Sequence, residues 1–283
     1  MFTRHRGEGD EMETAIIGPV FKDEAQAARL RAEAAFGASE VSPFLEQLDG
    51  QATALEIGCG TGLLLSELAK RFDAISFTGV EPIGPGFAQF ADSLDAIEKA
   101  HVNIAFIRKR IEDVSSNRKF DLIFSINVFE HLDDWRRAMD ICISMLKPGG
   151  KLVILCPNYN IPYESHFALP VVFGKSLTLK IFADTIRKIE EKLDARGLWQ
   201  SLNFIKASQV KRFCAQKGYD CDFDRAIMGR MLDRLEVDTE FRKRQSALAR
   251  SAVLANRLGA GRLFEYLPER FGAYMKIVVR SAG

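Results

Sequence analysis

What this 283-residue chain lacks narrows its class before any motif is read. It has only five cysteines (Cys59, Cys142, Cys156, Cys214 and Cys221) and no Cys-x-x-Cys pair. The odd number and the spacing argue against a disulfide framework and against a zinc site built of paired thiolates. No stretch approaches the roughly 18 apolar residues needed to cross a bilayer. Residues 1–10 are charged and have no apolar run, so no secretory leader is expected. There is no internal repeat and no low-complexity tract. Nor is there an excess of one charge, because 39 Lys and Arg face 38 Asp and Glu. A strongly basic nucleic-acid binder is therefore not the default reading. The remaining composition is ordinary, so a soluble, cytoplasmic protein with ample core is expected.

The balanced charge conceals an asymmetry. Residues 1–166 carry 17 Lys and Arg against 25 Asp and Glu, whereas residues 167–283 carry 22 against 13. Arg187-Lys188 and Arg242-Lys243-Arg244 are the densest basic groups. Acids interleave with them (Glu190, Glu191, Glu236, Asp238, Glu240), as on a solvated helix face.

Along the chain, residues 1–13 are polar. Helix is expected over 22–36 and 43–48. Ala52 to Ile57 then forms a short apolar strand, followed by a glycine loop and a helix over 63–72. Strands at 75–80, 102–107, 120–126 and 151–156 alternate with helices at 87–100 and 135–146. Continuous apolar strands alternating with helices predict an α/β, doubly wound, mostly parallel sheet. After residue 166 the chain becomes helical, over 177–196, 208–217 and 233–258. Two further strands are expected at 219–224 and 274–280. The expected organisation is a helical N-terminal extension (1–49), a core (50–166) and a helix-rich cap (167–283) that supplies the last two strands.

The strand–glycine loop–helix unit is the strongest signal. Gly58, Gly60 and Gly62 allow a tight turn with positive φ and close approach of a ligand to the backbone. The free N–H groups at the start of the next helix suit a negative group. Glu81, at the end of the second strand, is placed to accept hydrogen bonds from both hydroxyls of a ribose. The dinucleotide pattern Gly-x-Gly-x-x-Gly would need glycine at position 63, which is Leu63. A nucleoside cofactor without a pyrophosphate fits better, and a nicotinamide oxidoreductase fits worse.

Together these stretches resemble the class I S-adenosylmethionine-dependent methyltransferases. The resemblance covers residues 52–158. Leu55-Glu56-Ile57-Gly58-Cys59-Gly60-Thr61-Gly62 is similar to the family's first motif and Gly79-Val80-Glu81 to its second. Phe120-Asp121-Leu122-Ile123, Phe129-Glu130-His131-Leu132 and Leu146-Lys147-Pro148-Gly149-Gly150-Lys151-Leu152 resemble the fourth strand, its loop and the entry to the fifth. The resemblance implies a seven-stranded Rossmann-like sheet whose last strand is antiparallel, with residues 226–271 inserted before it. It implies S-adenosylmethionine as cofactor. Glu56 would neighbour the cofactor's amino-acid end, Gly58, Cys59, Gly60 and Gly62 its backbone cradle, Glu81 and Pro82 its ribose, and Asn127 its methionine portion. Arg110 stands where many members carry an adenine-contacting Asp. Ile111, Glu112 and Asp113 are the alternatives there.

Methyl transfer from a sulfonium needs alignment more than chemistry, with a general base when the acceptor must lose a proton. His131 is the first candidate base, with Glu130 beside it to orient it. The alternative for that pair is a helix-capping role, with Asp133 and Asp134 as N-caps. The loop after the fifth strand supplies His166 as a second base and Asn158, Tyr159 and Tyr163 as acceptor contacts. His5 and His101 are read as bland. No carboxylate cluster of the metal-dependent kind can be assembled, so no metal is expected. The Asp- or Asn-Pro-Pro-Tyr tetrapeptide that accompanies methylation of bases in the family is missing after the fourth strand. The acceptor is therefore read as a small molecule, lipid- or sugar-linked and possible as an anion, with no stable nucleic-acid partner. The alternatives are an RNA methyltransferase using the basic half and a non-catalytic cofactor-binding protein of the same fold.

Overall fold

Apolar runs bounded by turn residues become buried strands. They are β1 (Thr53–Ile57), β2 (Ser76–Val80), β3 (Ile104–Ile107), β4 (Phe120–Ile126) and β5 (Leu146–Pro157). Leu55, Ile57, Leu122, Ile123, Phe124 and the run Leu152–Cys156 are essentially inaccessible to solvent. Strands covered on both faces require such continuous apolar sequence. The computed structural model describes residues 24–83, 88–115, 117–193 and 195–281. The polar residues 1–13, His5 and the expected helix starts at Lys22 and Phe87 lie outside the described residues.

The chain divides into two compact units, 1–114 and 115–283. In the first, β1 pairs with β2 and β2 with β3, both parallel. Helix α1 (Glu24–Leu45) packs on α2 (Leu63–Arg71), and α3 (Ala88–Ala100) on β3. One helix therefore replaces the two expected over 22–48. Pro43 lies within its last turn, where the N–H it lacks takes one bond, to the Ser39 carbonyl, from the end of the ladder, and Gly37, Ala38, Val41, Ser42 and Leu45 form its buried face.

In the second unit β4 and β5 are parallel, while β9 (Tyr274–Arg280) runs antiparallel to β5 and to β8 (Asp220–Phe223). The strand order is β3-β2-β1-β4-β5-β9-β8, the expected seven-stranded, mostly parallel sheet with an antiparallel last strand. Edge strand β8 is only half buried, and Asp220 and Asp222 both receive Arg280, at 3.1 and 2.6 Å. Charge on an edge blocks further pairing. Helix α4 (Trp135–Ser144) packs on β5.

Beyond β5 the expected loop forms a small ribbon of β6 (Tyr163–Glu164) and β7 (Leu169–Pro170). It leads to α5 (Lys175–Leu193), α6 (Leu198–Ser201) and α7 (Ala207–Lys217). The single helix expected over 233–258 is instead three: α8 (Ile227–Val237), α9 (Thr239–Arg244) and α10 (Ser246–Arg257), followed by α11 (Ala260–Tyr266). Asp238 is the cause of the first break. Its N–H closes α8 on the Arg234 carbonyl at 2.8 Å, and its carboxylate accepts the Phe241 N–H at 2.8 Å to cap α9. Several cations of this basic half are matched within it, as in Lys211–Glu269, Arg234–Asp238 and Lys243–Glu240. Among the described residues no helix is long and apolar enough to cross a membrane.

Packing of β2 is tight around Gly79. A Cβ there would stand 2.6 Å from both Cys59 Sγ and Phe106 Cδ1, whereas at Gly50 it would meet only Ala74 at 3.8 Å. Gly79→Ala is expected to destabilise the protein by about 1–3 kcal/mol through overpacking. Gly50→Ala is expected to stay within about 0.5 kcal/mol of the parent. Urea midpoints of the two variants check this pair.

Candidate functional site

The first unit presents the glycine loop at the carboxyl end of β1. Gly58, Gly60 and Gly62 have φ of 71°, 52° and 78°, the left-handed region that L side chains rarely occupy. The loop is held by Gly58 and Cys59 N–H groups donating to the Val80 carbonyl, at 2.7 and 3.2 Å. It thereby ties the end of β1 to the end of β2, where Glu81 follows. The Gly60 N–H donates to Glu81 Oε2 at 2.8 Å. Among the described residues nothing but its chain neighbours lies within 4 Å of the Cβ position of Gly60, so no described side chain fills that side of its backbone.

Two buried carboxylates face this loop. Glu56 is 3% exposed, and its Oε2 finds no hydrogen-bond partner among the described residues. Burial, and then the neighbouring Glu81, hold its carboxyl well above the usual range. Burial lifts Glu81 to about 7, against the pull of the Gly60 N–H. An orphaned acceptor beside an open glycine backbone is the cradle expected for an aminoacyl-nucleoside ligand. Ile111 is buried at the start of the turn 111–113, and Glu112 lies within 3.5 Å of Arg110. Pro82 is half-buried directly after Glu81. The residues named for the cofactor in this unit thus all sit at the carboxyl ends of β1, β2 and β3.

The second unit presents a different cluster. After β4, Asn127 takes φ of 56°, a conformation Asn tolerates, and its Oδ1 is buried with no partner among the described residues. The turn 129–131 follows. Asn203 pins it by donating from Nδ2 to the Phe129 and Leu132 carbonyls at 2.7 and 2.9 Å and from its N–H to the Glu130 carbonyl at 2.7 Å. Glu130 is fully buried, and neither of its oxygens finds a hydrogen-bond partner among the described residues. Burial lifts its carboxyl to about 7. Its Oε1 lies 3.9 Å from His131 Nε2 and 3.9 Å from His166 Nε2. The two rings meet edge to face at 5.3 Å.

Each imidazole is oriented through Nδ1. His166 Nδ1 donates to Glu164 Oε1 at 2.7 Å. Glu164 also accepts from the Tyr159 hydroxyl at 3.0 Å and from the Phe167 N–H at 2.8 Å. Those donors, His166 foremost, hold the Glu164 carboxyl below its usual range despite burial. His131 Nδ1 lies 2.8 Å from Ser201 Oγ, whose own proton goes to the Leu198 carbonyl at 2.8 Å. Ser201 must therefore accept, so His131 carries its proton on Nδ1 and a lone pair on Nε2. Burial pulls His131 down to about 3, so its ring is neutral rather than poised near neutrality as the sequence suggested. Ser201, not Glu130, orients it.

Three expected acceptor contacts have other partners. Asn158 donates to the Glu269 and Gly272 carbonyls and accepts from the Asn160 and Ala207 N–H groups, which uses all its capacity. Tyr159 is buried on Glu164, and the Tyr163 hydroxyl donates to Gln245 at 3.1 Å. Asn158, Tyr159 and Glu164 are buried, so their polar groups must be satisfied internally. Sequence reasoning missed Ser201 and Asn203, about 70 residues from the turn they hold, and nothing local marks them. Glu164 was legible in the loop but carried no role. Asp134 does cap α4, accepting the Arg136 and Arg137 N–H groups at 3.1 Å. His101 bonds Ser66 at 3.0 Å.

Glu56 makes the first unit costly without a ligand. Its folded-state pKa lies above the unfolded value, so stability is greatest at low pH and falls as pH rises through the carboxylate range. Glu81 extends that loss toward 7. Glu56→Gln is expected to raise the melting temperature at pH 8 by about 2–5 °C and to flatten its fall between pH 5 and 8. Scanning calorimetry of the ligand-free protein at the two pH values measures both effects.

Comparison with known proteins gives this geometry a context. Residues 27–221 match the methyltransferase-domain family. An uncharacterised protein of Mycobacterium tuberculosis (strain H37Rv) is 36% identical over 254 residues, covering 88% of this chain and 85% of that one. The ubiquinone biosynthesis O-methyltransferase of Nitrobacter winogradskyi is 37% identical over 118 residues, 42% of each chain. Among solved structures, phosphoethanolamine N-methyltransferase 2 of Haemonchus contortus in complex with S-adenosyl-L-methionine shares the fold. Its TM-score is 0.52 and its identity 14%, over 87% of this chain and 52% of that one. The chain thus spans about half the length of that neighbour. The matched family, the seven-stranded sheet and the glycine loop agree: the chain belongs to the class I S-adenosylmethionine-dependent methyltransferases.

Proposed function

We propose that this enzyme transfers the methyl group of S-adenosylmethionine to a hydroxyl oxygen of a small-molecule acceptor. The observation that carries the oxygen is the Glu130–His131–His166 cluster at the carboxyl ends of β4 and β5. A hydroxyl is a poor nucleophile until its proton is removed, and this cluster gathers proton-accepting atoms from one buried carboxylate and two half-buried imidazoles. An amine acceptor would need less. The O-methyltransferase name of one relative supports the same class of acceptor.

On this reading the first unit holds the donor. Glu81 takes the ribose hydroxyls, the Gly58–Gly62 backbone lies against the cofactor, and Glu56 faces its amino-acid end. Ile111 and Glu112 flank the adenine. Bound S-adenosylmethionine supplies an activated methyl carbon, so the chain's remaining tasks are alignment, exclusion of water and removal of the acceptor's proton. The ribose hydroxyls donate, so Glu81 must be ionised to accept both.

Two measurements test the assignment. Cofactor affinity should fall about tenfold between pH 8 and pH 6, because Glu81 at about 7 must lose its proton to bind the ribose. Glu81→Gln should bind weakly at both pH values, and calorimetry reads the slope. With methyl-labelled cofactor and a metabolite extract as acceptor source, label should enter a hydroxyl-bearing small molecule as a methyl ether. His131→Ala and His166→Ala should each lower that turnover by about a hundredfold or more with cofactor affinity kept. Label on nitrogen or on RNA would overturn the hydroxyl reading.

A further inference from the structure

The Glu130 carboxylate presents a physical problem that general-base chemistry does not resolve. It is fully buried, and both oxygens lack a donor among the described residues. A buried acceptor left unmade is costly, and a buried negative charge far more so unless a cation compensates it. From the main chain of the described residues only its own N–H bears on it. What faces Oε1 instead is His131 Nε2 and His166 Nε2, each at 3.9 Å. That separation is too long for a hydrogen bond. It is near the separation of two atoms that share one small cation: nitrogen and oxygen ligands at about 2.1 Å in a tetrahedron lie roughly 3.4 Å apart. The three ligand atoms all lie within 4.8 Å of one another, so contractions of about half an ångström on the Glu130 pairs and up to about 1.4 Å between the imidazoles would close the set.

The imidazoles are prepared as ligands are. A metal-binding histidine offers one nitrogen's lone pair while the other N–H is held by a carboxylate, carbonyl or hydroxyl. His166 Nδ1 is held by Glu164, itself fixed by Tyr159 and Phe167. His131 Nδ1 is held by Ser201, whose hydroxyl proton is committed to Leu198, so the lone pair is on Nε2. Both held nitrogens point away from Glu130, and both Nε2 atoms point toward it.

We propose that Glu130, His131 and His166 form a binding site for one divalent transition-metal ion of borderline softness, with zinc as the reference. Two imidazoles and one carboxylate leave a coordination position open, as in catalytic rather than structural sites. Resting on the hydroxyl-acceptor reading, the open position takes the acceptor oxygen. The bound hydroxyl loses its proton to solvent at neutral pH because the cation stabilises the oxyanion. The oxygen lone pair then forms the O–CH3 bond while the C–S pair returns to sulfur, leaving S-adenosylhomocysteine and a methyl ether.

Cobalt(II) is the probe for the test, because it is visible where zinc is silent. Full-length protein stripped with chelator and titrated with Co2+ should develop visible d–d absorption that saturates at one ion per chain. One equivalent of Zn2+ should abolish it. Glu130→Gln, His131→Ala and His166→Ala should each weaken Co2+ binding at least tenfold while S-adenosylmethionine affinity, measured in parallel, reports an intact fold. Absence of d–d bands in the wild type would overturn the site without any variant. So would Zn2+ affinity unchanged in the His131→Ala/His166→Ala double variant. The hydroxyl reading fails separately. Metal binding with no methyl ether formed by loaded or stripped protein would remove the acceptor assignment and leave the site standing. Full activity of stripped protein, unchanged by added Zn2+, would remove the metal and leave the acceptor.

Discussion

Buried carboxylates without donors govern this molecule. Water is the cheapest partner a carboxylate has, and an interior that removes it must supply a substitute. At Glu130 the fold supplies none from its own described residues, and at Glu56 it leaves Oε2 without one. Glu56 stands next to last in β1, and Glu130 in the turn that follows β4. Glu81 is the intermediate case, with one glycine N–H in place of several. Such sites cost stability in the ligand-free protein, and they are where a protein meets a charged or hydroxylated partner.

The scaffold makes this cost tolerable. The runs Leu122–Phe124 of β4 and Leu152–Cys156 of β5, with Leu55 and Ile57 of β1, are apolar and covered, so the strand ends are rigid platforms for polar groups. The glycine loop adds three positive-φ residues in five positions, a backbone path that no other residue type takes cheaply. In the second unit rigidity is bought with side chains instead. Asn203 fixes the turn that carries Glu130 and His131, and Asn158 joins the strand end to Ala207 and to the segment before β9. Residues that read as acceptor contacts in the sequence thus serve as the frame on which the reactive groups stand.

The two imidazoles differ in a way their residue type conceals. His166 Nδ1 is held by a carboxylate that Tyr159 and Phe167 also fix. His131 Nδ1 faces a hydroxyl that only accepts, and burial keeps its ring neutral. The same side chain is therefore held through Nδ1 by two different kinds of acceptor.

The sequence by itself determined the fold and the glycine loop with Glu56 and Glu81 beside it. Alternating apolar strands and helices, and an acid–glycine–acid pattern within one βαβ unit, are local signals, because strand, turn and helix physics acts over a few residues. The elements that differed did so through local details that periodicity does not carry. Pro43 is tolerated in a last turn, Asp238 splits a long helix by capping, and residues 163–170 pair as a ribbon. The Glu130–His131–His166 cluster was legible only as separate candidates. Only the tertiary structure decided that His166 returns to Glu130 across 36 positions, and that Glu164 and Ser201 set the nitrogens that face it. Hydrogen-bond partnership and desolvation depend on which distant segments exclude water together, and no local pattern encodes that.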